Sequence, residues 1–269
     1  MNRRINFGEI RAVGFDLDGV VYFGSKLAVG AKKIINELRD YDYKVFFITN
    51  NSSKTREEIS IKLKGLGIEA EVTDIITSGY ACATFLSNIR KNARIFVLGS
   101  SGLKKLFLQM GLNLVNDPKC DFLVVGYDVK FDYKKACFGL KAIQDGAKFI
   151  ACNLDSNFPA DNGRVLPGCG AIVAFMAEAS GRGPDFVIGK PNVYMLKLAA
   201  EKFYLKQKEI IFIGDSLETD ISMANKFGSP SVLIGVDSKP KAGKMSAKPS
   251  FNITSLVELK NIFKIDNAK

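Results

Sequence analysis

Histidine is absent from this chain of 269 residues. Its absence excludes a Ser-His-Asp or Cys-His mechanism, a phosphohistidine intermediate and every zinc site that needs an imidazole ligand. Any acid–base chemistry must therefore come from carboxylates, lysine, tyrosine or cysteine.

Cysteine is scarce, and its five positions form no recognisable framework. The number is odd and no two cysteines form a Cys-x-x-Cys pair, which favours reduced cysteines in the core over disulfides or a metal site.

Long apolar runs are also missing. None approaches the roughly 18 residues of a membrane span, and the first residues lack an apolar stretch of signal-peptide length. We therefore expect a cytoplasmic protein without a membrane partner.

Charge of one sign is plentiful but dispersed. The net charge is +10, yet the lysines are scattered and no block of five or six like charges occurs. Such a diffuse positive field steers small anions. Such a field could also aid nucleic-acid binding, but no nucleic-acid recognition motif accompanies it. A solvated basic surface is the simplest interpretation of the charge alone, and we expect no nucleic-acid partner.

Strand and helix patterns alternate along the chain. The run "KVFFIT" (44–49) is typical of a buried strand, and residues 29–41 carry apolar side chains at helical spacing. A capping box from Thr55 to Glu58 opens a further helix. This alternation predicts an α/β fold with parallel sheets and helices on their faces. Residues 81–184 repeat the same rhythm and predict a second sheet.

Polar side chains follow four of the predicted strands outside that central stretch. The segments are "DLDG" (16–19), "TNNSS" (49–53), "GKP" (189–191) and "GDSLETD" (214–220). Ligands of α/β sheets bind beyond the carboxyl ends of strands, so a hydroxyl, amides, an ammonium and four carboxylates should converge on one edge. Each segment alone also fits a turn, a helix lead-in or a helix cap. If all four segments were only turns, helix lead-ins or helix caps, the same coincidence would have to occur at four core strands.

The first of these segments places two carboxylates two residues apart. Residues at that spacing on a strand share one face, so Asp16 and Asp18 would point the same way. At roughly 4 Å, two like charges repel by about 4 kcal/mol at an effective dielectric of about 20. A cation must compensate, or one carboxyl must hold a proton.

The four motifs in this order resemble the haloacid dehalogenase superfamily of phosphotransferases. In addition, "CNLDSNFPADNGRVLPGCGAI" (152–172) resembles the cap signature of the branch with NagD-like phosphatases, 4-nitrophenylphosphatases and 2-phosphoglycolate phosphatases. That branch often has Asn-Pro-Asp where this chain has Asn153-Leu154-Asp155. The resemblance implies a Rossmann-like, doubly wound parallel sheet with an inserted α/β cap. The core would comprise residues 1–80 and 185–269, and the cap residues 81–184.

The resemblance also implies the chemistry of the carboxylates. Asp16 would be the nucleophile that forms an aspartyl-phosphate, and carboxylates do act as covalent catalysts in this way. Asp18 would be the general acid and then the base, and its backbone carbonyl would bind a metal. The metal would be Mg²⁺, which prefers oxygen ligands. Asp16 and Asp215 would be its carboxylate ligands, and Asp220 would orient them.

Substrate contacts are implied in the same way. The phosphate would be bound by the Thr49 hydroxyl, the Asn50 amide, Asn51 and Lys190. The polar loop 153–168 lies between apolar segments and would meet the rest of the substrate. Its candidate contacts are Asn153, Asp155 and Arg164, although an exposed, solvated arginine is an equally good reading of Arg164.

The expected function is a Mg²⁺-dependent phosphatase of small phosphorylated metabolites. Two alternatives stay open: a phosphomutase, which uses the same pair of aspartates but excludes water between half-reactions, and a catalytically idle sensor with a retained phosphate pocket. The substrate is also open among phosphoglycolate, pyridoxal phosphate, nucleotide monophosphates and sugar phosphates. So is a homodimer formed through the cap.

Overall fold

The structure is a computed structural model that describes residues 7–159, 164–235 and 247–265. The described residues form two compact units. The first unit takes them from Met1–Thr49, Ser60–Ile76 and Leu196–Lys269, and the second from Asn50–Ile59 and Thr77–Met195. The predicted cap insertion, residues 81–184, lies within the second unit. The assignment of these residues as a cap domain stays a prediction.

The described chain alternates strands with helices, as predicted. The strands are β1 (Ala12–Asp16), β2 (Tyr22–Phe23), β3 (Lys26–Leu27), β4 (Lys44–Thr49), β5 (Ile75–Thr77), β6 (Arg94–Leu98), β7 (Asn113–Leu114), β8 (Phe122–Val125), β9 (Lys148–Ala151), β10 (Asn157–Pro159), β11 (Val165–Pro167), β12 (Phe186–Val187), β13 (Ile210–Gly214), β14 (Ser231–Ile234) and β15 (Phe251–Ile253). The helices are α1 (Ala31–Asp40), α2 (Arg56–Gly65), α3 (Ser78–Ile89), α4 (Ser101–Gln109), α5 (Tyr133–Gln144), α6 (Cys169–Ser180), α7 (Tyr194–Lys202), α8 (Ser222–Phe227) and α9 (Leu259–Phe263).

Two parallel sheets organise these elements. The larger has six strands in the order β15-β14-β13-β1-β4-β5, and the smaller has five in the order β12-β9-β8-β6-β7. Two antiparallel pairs, β2–β3 and β10–β11, lie outside them. The α/β fold with a parallel six-stranded sheet and a second parallel sheet confirms the predicted fold class.

The centre of the six-stranded sheet is packed from both sides. All residues of β1 and β13 are buried, as continuous apolar runs predict for parallel strands covered by helices. Gly14 lies in register with Phe46 and Phe212 on the neighbouring strands. A Cβ atom on Gly14 would fall 2.6 Å from the Phe46 ring and 2.8 Å from the Phe212 ring. The two rings therefore occupy the space that a side chain at residue 14 would need.

Local sequence signals set the helix boundaries. The helix expected over residues 29–41 is α1, which buries its apolar face. The capping box before α2 is present: the Thr55 N–H donates to Glu58 Oε2 at 2.7 Å, and the Glu58 N–H donates to Thr55 Oγ1 at 3.2 Å. No helix in the described parts of the chain combines the length and apolar character that a membrane span requires.

The five cysteines are free thiols. Cys82, Cys152 and Cys169 are buried in the second unit, whereas Cys120 is half-buried and Cys137 is exposed. Three of the five therefore match the expected reduced core cysteines.

Candidate active site

Three strand ends meet at one edge of the six-stranded sheet. Asp16 is the last residue of β1, Thr49 is the last residue of β4, and Asp215 directly follows β13. Because β4, β1 and β13 are adjacent and parallel, their carboxyl ends lie side by side. Asp16 and Thr49 are buried, and Asp215 is exposed.

A cluster of three carboxylates forms at this edge. Carboxylate oxygens of Asp16, Asp215 and Asp220 all lie within 4.8 Å of one another. Only 6% of Asp16 and 1% of Asp220 is exposed to solvent. Burial raises the free energy of an isolated negative charge, and like charges at this distance repel. The cluster therefore fits a hard divalent cation such as Mg²⁺, which prefers oxygen ligands.

The turn after β13 places Asp220 in the cluster. The Asp220 carboxylate accepts a hydrogen bond of 3.1 Å from the Ser216 backbone N–H. Ser216 also caps the helical turn Leu217–Ile221, because its Oγ accepts from the Thr219 N–H at 3.2 Å. A Cβ on Gly214 would lie 2.2 Å from the Asp220 Cβ. The segment "GDSLETD" is thus both a capped helix start and the source of two clustered carboxylates.

Asp18 follows β1 on the next turn. β1 ends at Asp16, and Asp16 is buried while Asp18 is exposed. The strand itself therefore ends before Asp18, but both carboxylates act on the pKa of the nearby Tyr22 phenol. That Asp16 and Asp18 point to the same side stays a prediction. Among the described residues, the clustered carboxylates are those of Asp16, Asp215 and Asp220.

Gly19 allows this turn to pass close to the carboxylate cluster. Its φ is +94°, a left-handed conformation that favours glycine. A Cβ there would fall 2.2 Å from Asp215 Oδ2. A cleft of about 430 Å³ lies beside Gly19 and Asp215 and is lined mainly by apolar residues of the first unit, among them Phe23 and Val29. Its size suits a small organic molecule.

Tyr22 holds the side chain of Asp18. The Tyr22 hydroxyl donates a hydrogen bond of 3.3 Å to Asp18 Oδ2. Burial, and then the Asp18 and Asp16 carboxylates, raise the pKa of Tyr22 well above its usual range, so the phenol stays protonated. No sequence pattern indicated Tyr22, although it stands only four residues beyond Asp18.

In the second unit, a hydrogen-bonded network joins four of the predicted site residues. Asn50 Oδ1 accepts from the Lys190 backbone N–H at 2.8 Å, and Asn50 Nδ2 donates to the Lys190 carbonyl at 3.2 Å. The same Nδ2 lies 3.1 and 3.0 Å from the two carboxylate oxygens of Asp155. Asn153 Nδ2 donates to the Asn50 carbonyl at 2.7 Å, and Asn153 Oδ1 accepts from the Asp155 N–H at 3.0 Å.

This network fixes the backbone that carries Lys190. Only 4% of Lys190 is exposed, and Asn50 and Asn153 are buried as well. A Cβ on the preceding Gly189 would fall 2.5 Å from Asn50 Oδ1. Asn153 and Asp155 were expected to contact substrate; the structure joins both to Asn50, and a substrate contact stays a prediction.

Asn51 and Arg164 are the other two predicted site residues in the second unit. Asn51 Oδ1 accepts from the Ser53 N–H and the Lys54 N–H, both at 2.9 Å, and from the Ser53 hydroxyl at 3.2 Å. These hydrogen bonds shape the loop before α2. They fit the alternative interpretation of this segment as a helix lead-in. Arg164 is exposed, and its role stays a prediction.

Known families match both ends of the chain. A family model described as Haloacid dehalogenase-like hydrolase matches residues 13–113, and a second, described as HAD-hydrolase-like, matches residues 187–259. The acid sugar phosphatase of Staphylococcus aureus strain USA300 is 32% identical over 252 residues, which covers 93% of this chain and 96% of that protein. The chain belongs to the haloacid dehalogenase-like hydrolase family.

Solved structures agree with this assignment. The 4-nitrophenylphosphatase of Thermotoga maritima matches with a TM-score of 0.87 and 30% identity, and the match covers 95% of this chain and 98% of that one. The p-nitrophenyl phosphatase of Archaeoglobus fulgidus matches with a TM-score of 0.85 and 28% identity over the same shares. The predicted family resemblance and the phosphatase class are confirmed.

All four motifs of this haloacid dehalogenase-like hydrolase lie in the matched ranges. The first range contains Asp16, Asp18 and the segment 49–51, and the second contains Lys190 and the segment 214–220. The loop 153–168 lies between the two matched ranges. Residues 160–163 of that loop lie outside the described residues.

Proposed function

We propose that this phosphatase is a Mg²⁺-dependent hydrolase of small phosphorylated metabolites that works through an aspartyl-phosphate on Asp16. The observation that carries the proposal is the cluster of Asp16, Asp215 and Asp220 at the carboxyl edge of the sheet. A nucleophilic carboxylate among other carboxylates repels an anionic phosphate unless a cation is bound. Mg²⁺ held by these oxygens would supply positive charge that offsets the repulsion and orients the phosphoryl group.

Asp16 and Asp18 have complementary positions for a two-step hydrolysis. Asp16 is buried at the end of a central strand, whereas Asp18 is exposed on the following turn. In the first step an Asp16 oxygen bonds to phosphorus while the bond from phosphorus to the ester oxygen breaks. The Asp18 carboxyl gives its proton to that ester oxygen, and the leaving group departs as an alcohol.

The second step releases phosphate and restores both aspartates. Asp18, now a carboxylate, takes a proton from a water molecule. The water oxygen bonds to phosphorus as the bond between phosphorus and Asp16 breaks. Inorganic phosphate leaves, Asp16 is again a carboxylate, and Asp18 is again protonated.

We assign phosphate binding to four residues, as the sequence predicts: Thr49, Asn50, Asn51 and Lys190. The Asn50 side chain already binds Lys190 and Asp155, so its backbone N–H is the group that we assign to the phosphate. The Asn51 carboxamide oxygen already accepts a hydrogen bond within its own loop. A phosphate contact by the Asn51 side chain therefore has less support from the structure. Lys190 would supply a fixed positive charge, since its backbone is held by Asn50.

Sugar phosphates are the first substrate class to test. The Staphylococcus aureus relative is named an acid sugar phosphatase, and two of the similar structures are nitrophenyl phosphatases. The exposed guanidinium of Arg164 could donate to hydroxyls or anionic groups of such a substrate. Phosphoglycolate, pyridoxal phosphate and nucleotide monophosphates belong to the same panel.

The test is release of inorganic phosphate from that panel in the presence of Mg²⁺. We expect release to match substrate loss, with Asp16→Asn inactive and unable to form a phosphoenzyme. Asp40→Asn is the matched control, because Asp40 is an exposed aspartate at the end of α1. Isomerisation without phosphate release would establish a phosphomutase, and binding without turnover would establish a sensor.

A further inference from the structure

Tyr22 is a buried phenol whose hydroxyl is directed at an exposed carboxylate. Only 3% of Tyr22 is exposed, and its hydroxyl lies 3.3 Å from Asp18 Oδ2. A buried tyrosine hydroxyl requires a hydrogen-bond partner. Here that partner is the residue to which we assign the general acid.

The turn between Asp18 and Tyr22 fixes the position of the ring. The Gly19 N–H donates to the Tyr22 carbonyl at 2.9 Å, and the Tyr22 N–H donates to the Leu17 carbonyl at 3.1 Å. The Lys62 ammonium on α2 lies 3.3 Å from the centroid of the Tyr22 ring. A cation over a tyrosine face is attracted by the negative face of the ring. The phenol is therefore held by its backbone and by a contact on its ring.

We propose that Tyr22 is a positioning residue for Asp18. An exposed carboxylate samples several rotamers, and a hydrogen bond from a fixed donor selects one of them. With Oδ2 occupied by the phenol, the transferable proton of the Asp18 carboxyl resides on Oδ1, which would face the leaving oxygen. The proposal rests on the general-acid role of Asp18 given above.

The effect should depend on the leaving group. Protonation matters most when the departing alcohol is a poor leaving group, as in alkyl and sugar phosphates. It matters least for 4-nitrophenyl phosphate, whose phenolate leaves readily. A merely structural role of Tyr22 would reduce the turnover of all substrates by the same factor.

The experiment compares kcat/KM across phosphate esters of graded leaving-group pKa for wild type, Tyr22→Phe and Asp18→Asn. The hydrogen bond is long, so for Tyr22→Phe we expect a loss of about 5- to 10-fold on alkyl phosphates, below the roughly 10²–10⁴-fold of general acid catalysis. The loss on 4-nitrophenyl phosphate should stay below about 2-fold. Mg²⁺ affinity, measured by calorimetry, should be unchanged.

Tyr43→Phe is the matched control. Tyr43 precedes β4, at the opposite end of that strand from Thr49, and its ring packs on Phe263. Removing its hydroxyl should change no kinetic constant. Lys62→Met is a second variant, which removes the cation from the Tyr22 ring and should give the same leaving-group dependence with a smaller loss.

The outcomes separate the two proposals. A uniform loss on all esters in Tyr22→Phe, with a leaving-group-dependent loss in Asp18→Asn, would overturn the role of Tyr22 alone. If Asp18→Asn itself shows no leaving-group dependence, the general-acid role of Asp18 fails first. Should Tyr22→Phe fail to fold, Lys62→Met decides, since a uniform loss or no loss in that variant contradicts the proposal.

Discussion

The carboxamide of Asn50 holds the backbone of Lys190 through two hydrogen bonds, one accepted from its N–H at 2.8 Å and one donated to its carbonyl at 3.2 Å. The two residues are 140 positions apart in the chain. The same Nδ2 reaches both carboxylate oxygens of Asp155. Asn50 is therefore a structural link between Lys190, which we propose binds phosphate, and the loop that we assign to the substrate.

We predict that Asn50→Asp weakens both folding and catalysis. The new carboxylate would meet Asp155 at about the present 3.0 Å and could not donate to it. The free energy of unfolding in urea should fall by about 2–4 kcal/mol. The kcat/KM value should fall by about 10- to 100-fold as Lys190 loses its position.

A double variant tests this interaction. Asp155→Asn alone should be milder, because its amide oxygen can still accept from Asn50 Nδ2. Asn50→Asp combined with Asp155→Asn should recover at least half of the lost unfolding free energy, since the amide and the carboxylate then exchange places. If the two changes are simply additive, Asn50 and Asp155 do not interact energetically.

We predict that Gly19→Ala reduces metal affinity as well as stability. The left-handed φ of +94° makes any side chain there unfavourable by roughly 1–2 kcal/mol. The added methyl would also displace Asp215 Oδ2 from a site 2.2 Å away. Mg²⁺ affinity, measured by calorimetry, should fall by about 10-fold or more, a typical consequence of disturbing a metal ligand.

Gly111→Ala is the control for backbone strain. Gly111 has a similar φ of +73°, but a Cβ there would meet no atom within 4 Å. Its unfolding free energy should drop by about the same 1–2 kcal/mol, while Mg²⁺ affinity stays at the wild-type value. Equal Mg²⁺ affinities in the two alanine variants would show that Gly19 does not serve the carboxylate cluster.

We predict that phosphatase activity requires a divalent cation. Treatment with EDTA should abolish hydrolysis of 4-nitrophenyl phosphate, and added Mg²⁺ should restore it. Because Mg²⁺ would bind the folded state alone, it should also stabilise the protein, by about 2.7 kcal/mol at 100 times its Kd. Full activity of exhaustively stripped protein would contradict the proposed mechanism.

Carboxylate variants identify which groups hold the cation. Asp215→Asn should remove most of the stabilisation by Mg²⁺, whereas Asp220→Asn should remove less if Asp220 orients the ligands. Asp40→Asn, outside the cluster, should respond to Mg²⁺ as the wild type does. An Asp220→Asn variant that loses as much as Asp215→Asn would make Asp220 a direct ligand.

The parts of the site that the sequence predicted depend on local signals. Asp16, Thr49 and Asp215 follow apolar runs, and the rule that parallel strands end at one edge places them together. The capping box from Thr55 to Glu58 is also local, and the structure contains it. Sequence patterns predict such features because interactions between residues close in the chain determine them.

The parts that the sequence missed depend on tertiary contacts. Asn50 and Asp155 are 105 residues apart, and no periodicity connects two polar side chains at that separation. Tyr22 is close in sequence to Asp18, but the end of β1 at Asp16 and the following turn decide whether their side chains meet. A strand pattern alone does not indicate where β1 ends or how the chain turns after it.

The position of Asp16 on β1 affects how readily its backbone amide exchanges with solvent. β1 is paired on one side with β4 and on the other with β13, and all five of its residues are buried. Amide protons in such a central strand exchange slowly, with opening free energies that approach that of global unfolding. Asp18 lies beyond these ladders, on a turn that hydrogen bonds of the Gly19 and Tyr22 backbone close. We therefore expect the backbone of Asp16, the proposed nucleophile, to be among the slowest to exchange in the first unit, and the backbone of Asp18, the proposed general acid, to exchange faster.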